Sequence, residues 1–133
     1  MVYKGQLDAL SATLLKPEKL RSILLMPAFA NLDGARIWRE REFICKLPAN
    51  QIMDATSTDE VLVQGAIDLM AIEIDGVKIL DYKYSKKSDE GLIKTYSRQL
   101  SIYKKAVARI LKVDENTIRT CIINLYHGRQ IDL

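Results

Sequence analysis

The chain has 133 residues, 48% of them hydrophobic and 28% charged, with 20 basic residues against 17 acidic ones and a formal net charge of +3. That balance fits one packed domain and excludes wholesale disorder, while the small basic excess permits contact with a polyanion without demanding it. Cys45 and Cys121 stand far apart without a CxxC pair, which argues against an iron–sulfur or zinc–thiolate cluster and leaves two buried, reduced thiols as the expectation.

No run approaches the ~20 apolar residues of a membrane span, and the first six residues lack a signal-peptide core. A cytoplasmic setting is expected. Leu7, Leu10, Leu14 and Leu15, then Leu20, Ile23, Leu24 and Leu25, recur at three-to-four-residue spacing. They predict two short amphipathic helices, the second entered at Pro17 and closed by Pro27. A turn follows at Asn31–Gly34.

From Ala35 to Leu47 β-formers alternate with charges, yet neither parity is cleanly apolar: Ile37, Arg39, Arg41 and Phe43 share one, Trp38, Glu40, Glu42 and Ile44 the other. A strand here would bury charge on at least one side. Pro48 to Asp59 is polar and reads as a loop. Two apolar runs, Val61–Ile74 and Val77–Lys83, flank Asp75-Gly76, a strong hairpin signal. Ser85–Asp89 is a polar loop, and Ser88-Asp89-Glu90-Gly91 can start a helix. Its body carries Leu92, Tyr96, Gln99, Leu100, Tyr103, Val107, Ile110 and Leu111 on a 3.6-residue period. After a loop at Asp114–Asn116, Ile118–Tyr126 reads as a strand, and His127-Gly128 turns the chain into a last pairing segment, Arg129–Leu133. This order fits an α/β sandwich with a mixed sheet. His127, beside a glycine in a turn, reads as a solvated loop residue.

Chemistry concentrates in the hairpin. Asp68 interrupts one apolar run and Asp81 ends the other, and a carboxylate in a half-buried strand is costly unless compensated. Asp81 and Lys83 share a face because strand side chains alternate. Asp68 lies seven positions before Asp75 and Asp81 five after Gly76, so a bulge or an offset of one or two residues would set them opposite each other. A divalent cation between them would relieve their repulsion and could activate water against a phosphodiester, with Lys83 orienting that water or neutralising developing charge. A surface ion pair explains the Asp-x-Lys triplet about as well. Two further features favour the chemical reading: Gly65 inside a strand marks a bend or a close approach, and Gln99 and Tyr103 share one helical face.

Gln64-Gly65-Ala66-Ile67-Asp68-Leu69, Ile79-Leu80-Asp81-Tyr82-Lys83 and Gln99-Leu100-Ser101-Ile102-Tyr103 resemble, in order and spacing, the G-h-h-D, h-h-D-Y-K and Q-L-x-x-Y motifs of the RecB-like nucleases of the PD-(D/E)XK superfamily. The resemblance is closest to the C-terminal nuclease domains of AddA-type helicase–nucleases, whose Arg-Glu-x-x-Phe segment is similar to Arg39–Phe43 and whose tails are similar to His127–Leu133. It covers residues 35–133.

The resemblance implies a restriction-endonuclease-like α/β fold, with residues 1–34 a helical lead-in and 35–133 the nuclease core of a single domain. It implies Mg²⁺, or Mn²⁺ in its place, held by Asp68, Asp81 and the Tyr82 carbonyl, with Lys83 catalytic. Gln99 and Tyr103 would support the site and meet DNA, and Glu40 would be an accessory acid, with Glu42 competing for that part. The implied activity is a DNA exonuclease in double-strand-break repair, joined to a helicase in the same polypeptide and to an AddB-like partner.

Lys86, Lys87, Lys94, Arg98, Lys104 and Lys105 are candidate phosphate contacts, although Lys104 and Lys105 read better as a solvated face. One departure stands out: the family's upstream helical His has no counterpart in residues 1–34. The chain is then expected to be a piece of a larger helicase–nuclease, or its site is incomplete. The rival reading is a nuclease-fold module that binds DNA or a partner protein without cutting. A stand-alone CRISPR-associated or phage exonuclease is not supported by any cysteine cluster.

Overall fold

A computed structural model of the chain describes residues 17–30, 32 and 34–133. Five strands form one mixed sheet in sequence order: β1 (Arg36–Pro48), β2 (Glu60–Glu73), β3 (Gly76–Lys83), β4 (Ile118–Asn124) and β5 (Arg129–Asp132). β3 and β4 run parallel and the other neighbours antiparallel. A parallel pair needs a crossover, and the long helix α3 (Asp89–Leu111) supplies it; α1 (Pro17–Leu24) and the single turn α2 (Ala49–Ile52) complete the helices among the described residues. Of these, no helix is long and apolar enough to cross a membrane.

Local chemistry sets the helix ends. Ser88 Oγ caps α3 by accepting from Gly91 N–H at 3.1 Å, and Asp89 and Glu90 stand in the first turn, where the helix dipole favours acids. Leu92, Leu100, Ala106 and Val107 are buried on its inner stripe, and each fully buried leucine contributes roughly 1.5–3 kcal/mol. α1 starts on Pro17, as its sequence predicts, and buries Ile23 on the opposite face of the sheet. The helix expected over Leu7–Leu15 lies outside the described residues, as do Asn31 and Asp33 of the expected turn.

Three expectations need correction. The polar stretch after Pro48 is not all loop, since α2 winds there and its ends are tied down by Ala49 N–H to Asp59 O and Asn50 N–H to Ser57 O. The loop at Asp114–Asn116 tightens into a 3₁₀ turn over Glu115–Thr117, because the Asp114 carboxylate accepts from Asn116 N–H. The strand from Ile118 ends at Asn124 rather than Tyr126, where the Asn124 side chain takes over the hydrogen bonding. The tail does pair, as β5. Cys121 is buried and Cys45 half-buried; both are free thiols.

The core has two sides. Ile23 and Ala28 pack on Leu69, Ala71, Leu80, Cys121 and Ile123 of the α1-facing surface. Ala106 and Val107 pack on Phe43, Ile67, Met70, Val77 and Ile79 of the α3-facing surface. This division explains why β1 shows no clean alternation. Ile37 faces α1, whereas Phe43, of the same parity, faces α3. On β2 the change falls between Ile67, facing α3, and Leu69, facing α1.

Both strands therefore exchange faces at one place, and the residues there face each other. The pairs Arg39↔Leu69 and Arg41↔Ile67 bracket Glu40 and Asp68, which form no pair in the ladder, and Glu40 has φ +49°. A one-residue slip in one strand would turn its apolar set outward. Here both strands invert together, so the register is the same on either side.

Candidate active site

The hairpin register decides where the acids lie. β2 and β3 pair from Glu73↔Gly76 to Leu69↔Leu80, so the next facing residues are Asp68 and Asp81. No bulge or offset is needed, because the two-residue loop is Ile74-Asp75 and not Asp75-Gly76. Gly76 opens β3 beside the 3₁₀ turn, where a Cβ would stand 2.4 Å from the Thr117 carbonyl oxygen. Only glycine lets that close approach set the register.

Beyond Leu80 the ladder gives way to a side-chain bond. Asp68 Oδ2 accepts from Tyr82 N–H at 2.8 Å. Burial holds the Asp68 carboxyl well above the usual carboxylate range, at about 6. The Tyr82 amide pulls it back down, while Asp81 raises it by its charge and by a hydrogen bond that requires a proton between the two carboxyls; Lys83 lowers it. Asp81 is itself buried, 6% exposed.

Lys83 Nζ lies 3.2 Å from Asp81 Oδ2, yet that buried oxygen has no hydrogen-bond partner. The ammonium compensates its charge without a directed bond. The same ammonium stands 4.3 Å from the centre of the Tyr96 ring on α3, and this cation–π contact fixes its position from the second side. Asp81 and Lys83 share the face of Val77 and Ile79, the one covered by α3. Sequence reasoning does not single out Tyr96 as a site residue; the one signal is its place three residues before Gln99 on a helical stripe.

Asn124 escapes sequence reasoning as well. Fully buried, its amide accepts from Ser85 N–H at 3.3 Å and from Tyr126 N–H at 3.0 Å, and donates to Ser85 O at 3.1 Å. It ties the segment after Lys83 to the β4–β5 turn, while Leu125 N–H bonds Lys83 O at 2.7 Å. Lys83 O therefore faces β4, whereas Tyr82 N–H faces β2. In a strand the carbonyl leaves on the same side as the amide of its own residue, which puts Tyr82 O on the edge that Asp68 occupies.

Gln99 Nε2 donates to Tyr103 Oη at 3.2 Å. The Tyr103 ring stands edge-on to Phe43, 5.1 Å between centres, and lies over Gly65, where a Cβ would come within 2.7–2.8 Å of it. The strand glycine is there for a ring, as close approach predicts. Glu40, opposite Asp68, is half-buried with Oε1 lacking a hydrogen-bond partner, whereas Glu42 is exposed and faces Ala66. Among the described residues no three His, Cys, Asp or Glu side chains gather closely enough to hold a metal ion. The structure thus brings Asp68, Asp81 and Lys83 together and sets Glu40 across the β1–β2 ladder from them.

Several basic candidates are already engaged. Arg98 donates to Ile52 O at 3.1 Å, Lys87 to Thr95 Oγ1 at 3.1 Å, and Lys105 pairs with Glu115 at 3.4 Å.

Residues 10–132 match the family model described as the PD-(D/E)XK nuclease superfamily. The chain belongs to that superfamily. Its mixed sheet with helices on both faces is a PD-(D/E)XK fold, and Asp68, Asp81 and Lys83 stand on neighbouring strands of that sheet. The chain is similar to bacterial proteins named as the A subunit of an ATP-dependent helicase/nuclease. One from Carboxydothermus hydrogenoformans is 34% identical over 122 residues, covering 80% of this chain and 10% of the relative. One from Pelotomaculum thermopropionicum is 33% identical over 118 residues, covering 84% and 9%. One from Bacillus velezensis is 39% identical over 93 residues, covering 61% and 8%. The chain spans about a tenth of the length of these curated relatives.

Proposed function

We propose that this PD-(D/E)XK domain is the metal-dependent deoxyribonuclease of a helicase–nuclease, acting as an exonuclease on DNA ends in double-strand-break repair. The observation that carries the reading is the direct facing of Asp68 and Asp81 with Lys83 Nζ 3.2 Å from Asp81 Oδ2. Two carboxyls that raise each other's proton affinity, one with a buried oxygen lacking a donor, form a site suited to a hard divalent cation. Asp68, Asp81 and the Tyr82 carbonyl would hold Mg²⁺, with Mn²⁺ able to replace it, and Glu40 would act from across the ladder. When bound, the ion supplies a water of lowered pKa and positive charge for the phosphate.

The chain's own groups do the positioning. Lys83, held between Asp81 and the Tyr96 ring, presents a fixed ammonium to a phosphate oxygen and neutralises charge as it develops there. Asp68, ionised above pH ~6, accepts a proton or orients the attacking water. Gln99 and Tyr103, joined to each other along α3, support the opposite wall and meet the strand. The names of the relatives support a cytoplasmic setting, a helicase portion in the same polypeptide and an AddB-like partner as parts of this proposal.

A second reading, a nuclease-fold module that holds DNA or a partner protein without cutting it, is favoured by one observation: no trio of metal-binding side chains gathers among the described residues. One assay separates the two. Cleavage of end-labelled DNA is measured with Mg²⁺ and with Mn²⁺, for this chain and for a longer polypeptide carrying a helicase portion, each beside Lys83→Ala. A loss of at least ~10²-fold on removing Lys83 is expected, the size seen when a fixed transition-state donor is deleted. Equal cleavage by wild type and variant ends the catalytic assignment.

A further inference from the structure

One cluster takes no part in the chemistry above. Tyr84 follows Lys83 directly and is 43% exposed. Its ring stands edge-on to Tyr126, 5.3 Å between centres, and Tyr126 stands edge-on to His127 at 4.9 Å. Two ammonium groups flank the Tyr126 ring: Lys19 Nζ at 5.6 Å and Lys86 Nζ at 5.9 Å. Lys19 also donates to Tyr126 O, and His127 Nε2 meets Lys86 O at 3.2 Å. The Asn124 amide, bonded to Ser85 and Tyr126, locks the two loops that carry these residues to each other.

Tyr126 has its faces taken up by lysines and its edges by aromatic neighbours, so it serves as a support. Tyr84 is the ring left open to solvent. An exposed aromatic ring on a rigid base, with cations beside it, meets what an unpaired nucleotide needs: a surface for the base to stack on and positive charge for the adjoining phosphates. Duplex DNA keeps its bases inside the helix and has little use for such a ring. Since Tyr84 is adjacent to Lys83 in an extended segment, with its side chain on the other face of the strand, a bound strand would round the end of the sheet between the two.

We infer that Tyr84, seated on Tyr126 and flanked by Lys86 and His127, is a stacking platform for an unpaired nucleotide of single-stranded DNA next to the cleavage site. The inference rests on the nuclease reading for its choice of DNA as the ligand. It assigns roles to the one histidine of the chain and to Lys19, which the catalytic proposal leaves without one.

The test is fluorescence anisotropy with an end-labelled oligo(dT) and a blunt duplex, without divalent metal, for wild type, Tyr84→Ala, Tyr84→Trp and Lys86→Ala. DNA cleavage with Mn²⁺ is followed in parallel. Tyr84→Ala is expected to weaken oligo(dT) binding about tenfold, the usual worth of one base–aromatic stack. Tyr84→Trp should restore it and duplex binding should not change. Lys86→Ala should lower the salt dependence of oligo(dT) binding by about one phosphate. If Tyr84→Ala binds oligo(dT) as wild type does, or Tyr84→Trp is as weak as Tyr84→Ala, the platform is wrong while the nuclease reading stands. If wild type neither binds nor cleaves either DNA, the nuclease reading fails and the platform falls with it. Binding by a partner protein that Tyr84→Ala abolishes, with oligo(dT) binding untouched, would also overturn the inference.

Discussion

Gly65 and Tyr103 are a pair made for each other: the ring lies where a Cβ would be. Gly65→Ala forces the ring or the strand to move and is expected to cost about 1–3 kcal/mol, the usual penalty for overpacking. In the double variant with Tyr103→Ala much of that penalty disappears, so the two losses in urea unfolding should not add. The glycine is legible in the sequence as a close approach, but its partner is not. Nothing in the primary structure says which of several helical rings lands on a given strand position. Lys83 shows the same limit. Its neighbour two positions away follows from strand alternation, whereas the Tyr96 ring above it comes from a helix whose placement the sequence does not state. Asn124 carries still less signal, being one polar residue at the end of an apolar run.

At the scale of elements, the facing inversion of β1 and β2 at Glu40 and Asp68 separates what pattern can read from what it cannot. Alternation assumes one unbroken pleat, so the Arg36–Ile44 segment looks equally unsuited to either face. Each half is regular once the inversion is placed between them. Glu40 holds a left-handed backbone that costs a non-glycine residue about 1–3 kcal/mol, and functional sites are where such strain collects. Asn tolerates that conformation. Glu40→Asn should therefore leave thermal stability equal or higher while lowering DNA cleavage, measured by melting and by the end-labelled assay; a fall in stability with cleavage unchanged would contradict the proposed part for Glu40. The helix cap offers a control far simpler in kind: Ser88→Ala, which removes the acceptor for Gly91 N–H, should cost ~1 kcal/mol in urea unfolding. That cap is readable from Ser88-Asp89-Glu90 alone, because capping is local chemistry.

For the molecule as a whole, the buried acid pair sets how stability answers to pH. Asp68 has a folded-state value of about 6, above its ordinary 3.8, so the native state holds a proton that the unfolded chain has already released. The stability this contributes is fully present below pH ~4 and is lost as pH rises through ~6. Asp68→Asn, uncharged throughout, should match wild type near pH 4 and exceed it above pH 6 by on the order of 1 kcal/mol, a value discounted for the partial exposure of Asp68. Added Mn²⁺ should reverse the order. Metal raises the stability of the wild type by ~2.7 kcal/mol at a hundred times its dissociation constant, above pH 6 and not below pH 4, and leaves Asp68→Asn unmoved. Thermal melts at both pH values, with and without metal, check the sign. The amide hydrogen of Tyr82 offers a gentler view of the same event. It leaves the strand-to-strand ladder to end on a carboxylate, so its magnetic environment follows the ionisation of that carboxylate instead of the breathing of the sheet. One backbone resonance thus becomes a gauge of whether the cleft is protonated, ionised or loaded, readable without a labelled substrate and without altering a single atom of the chain.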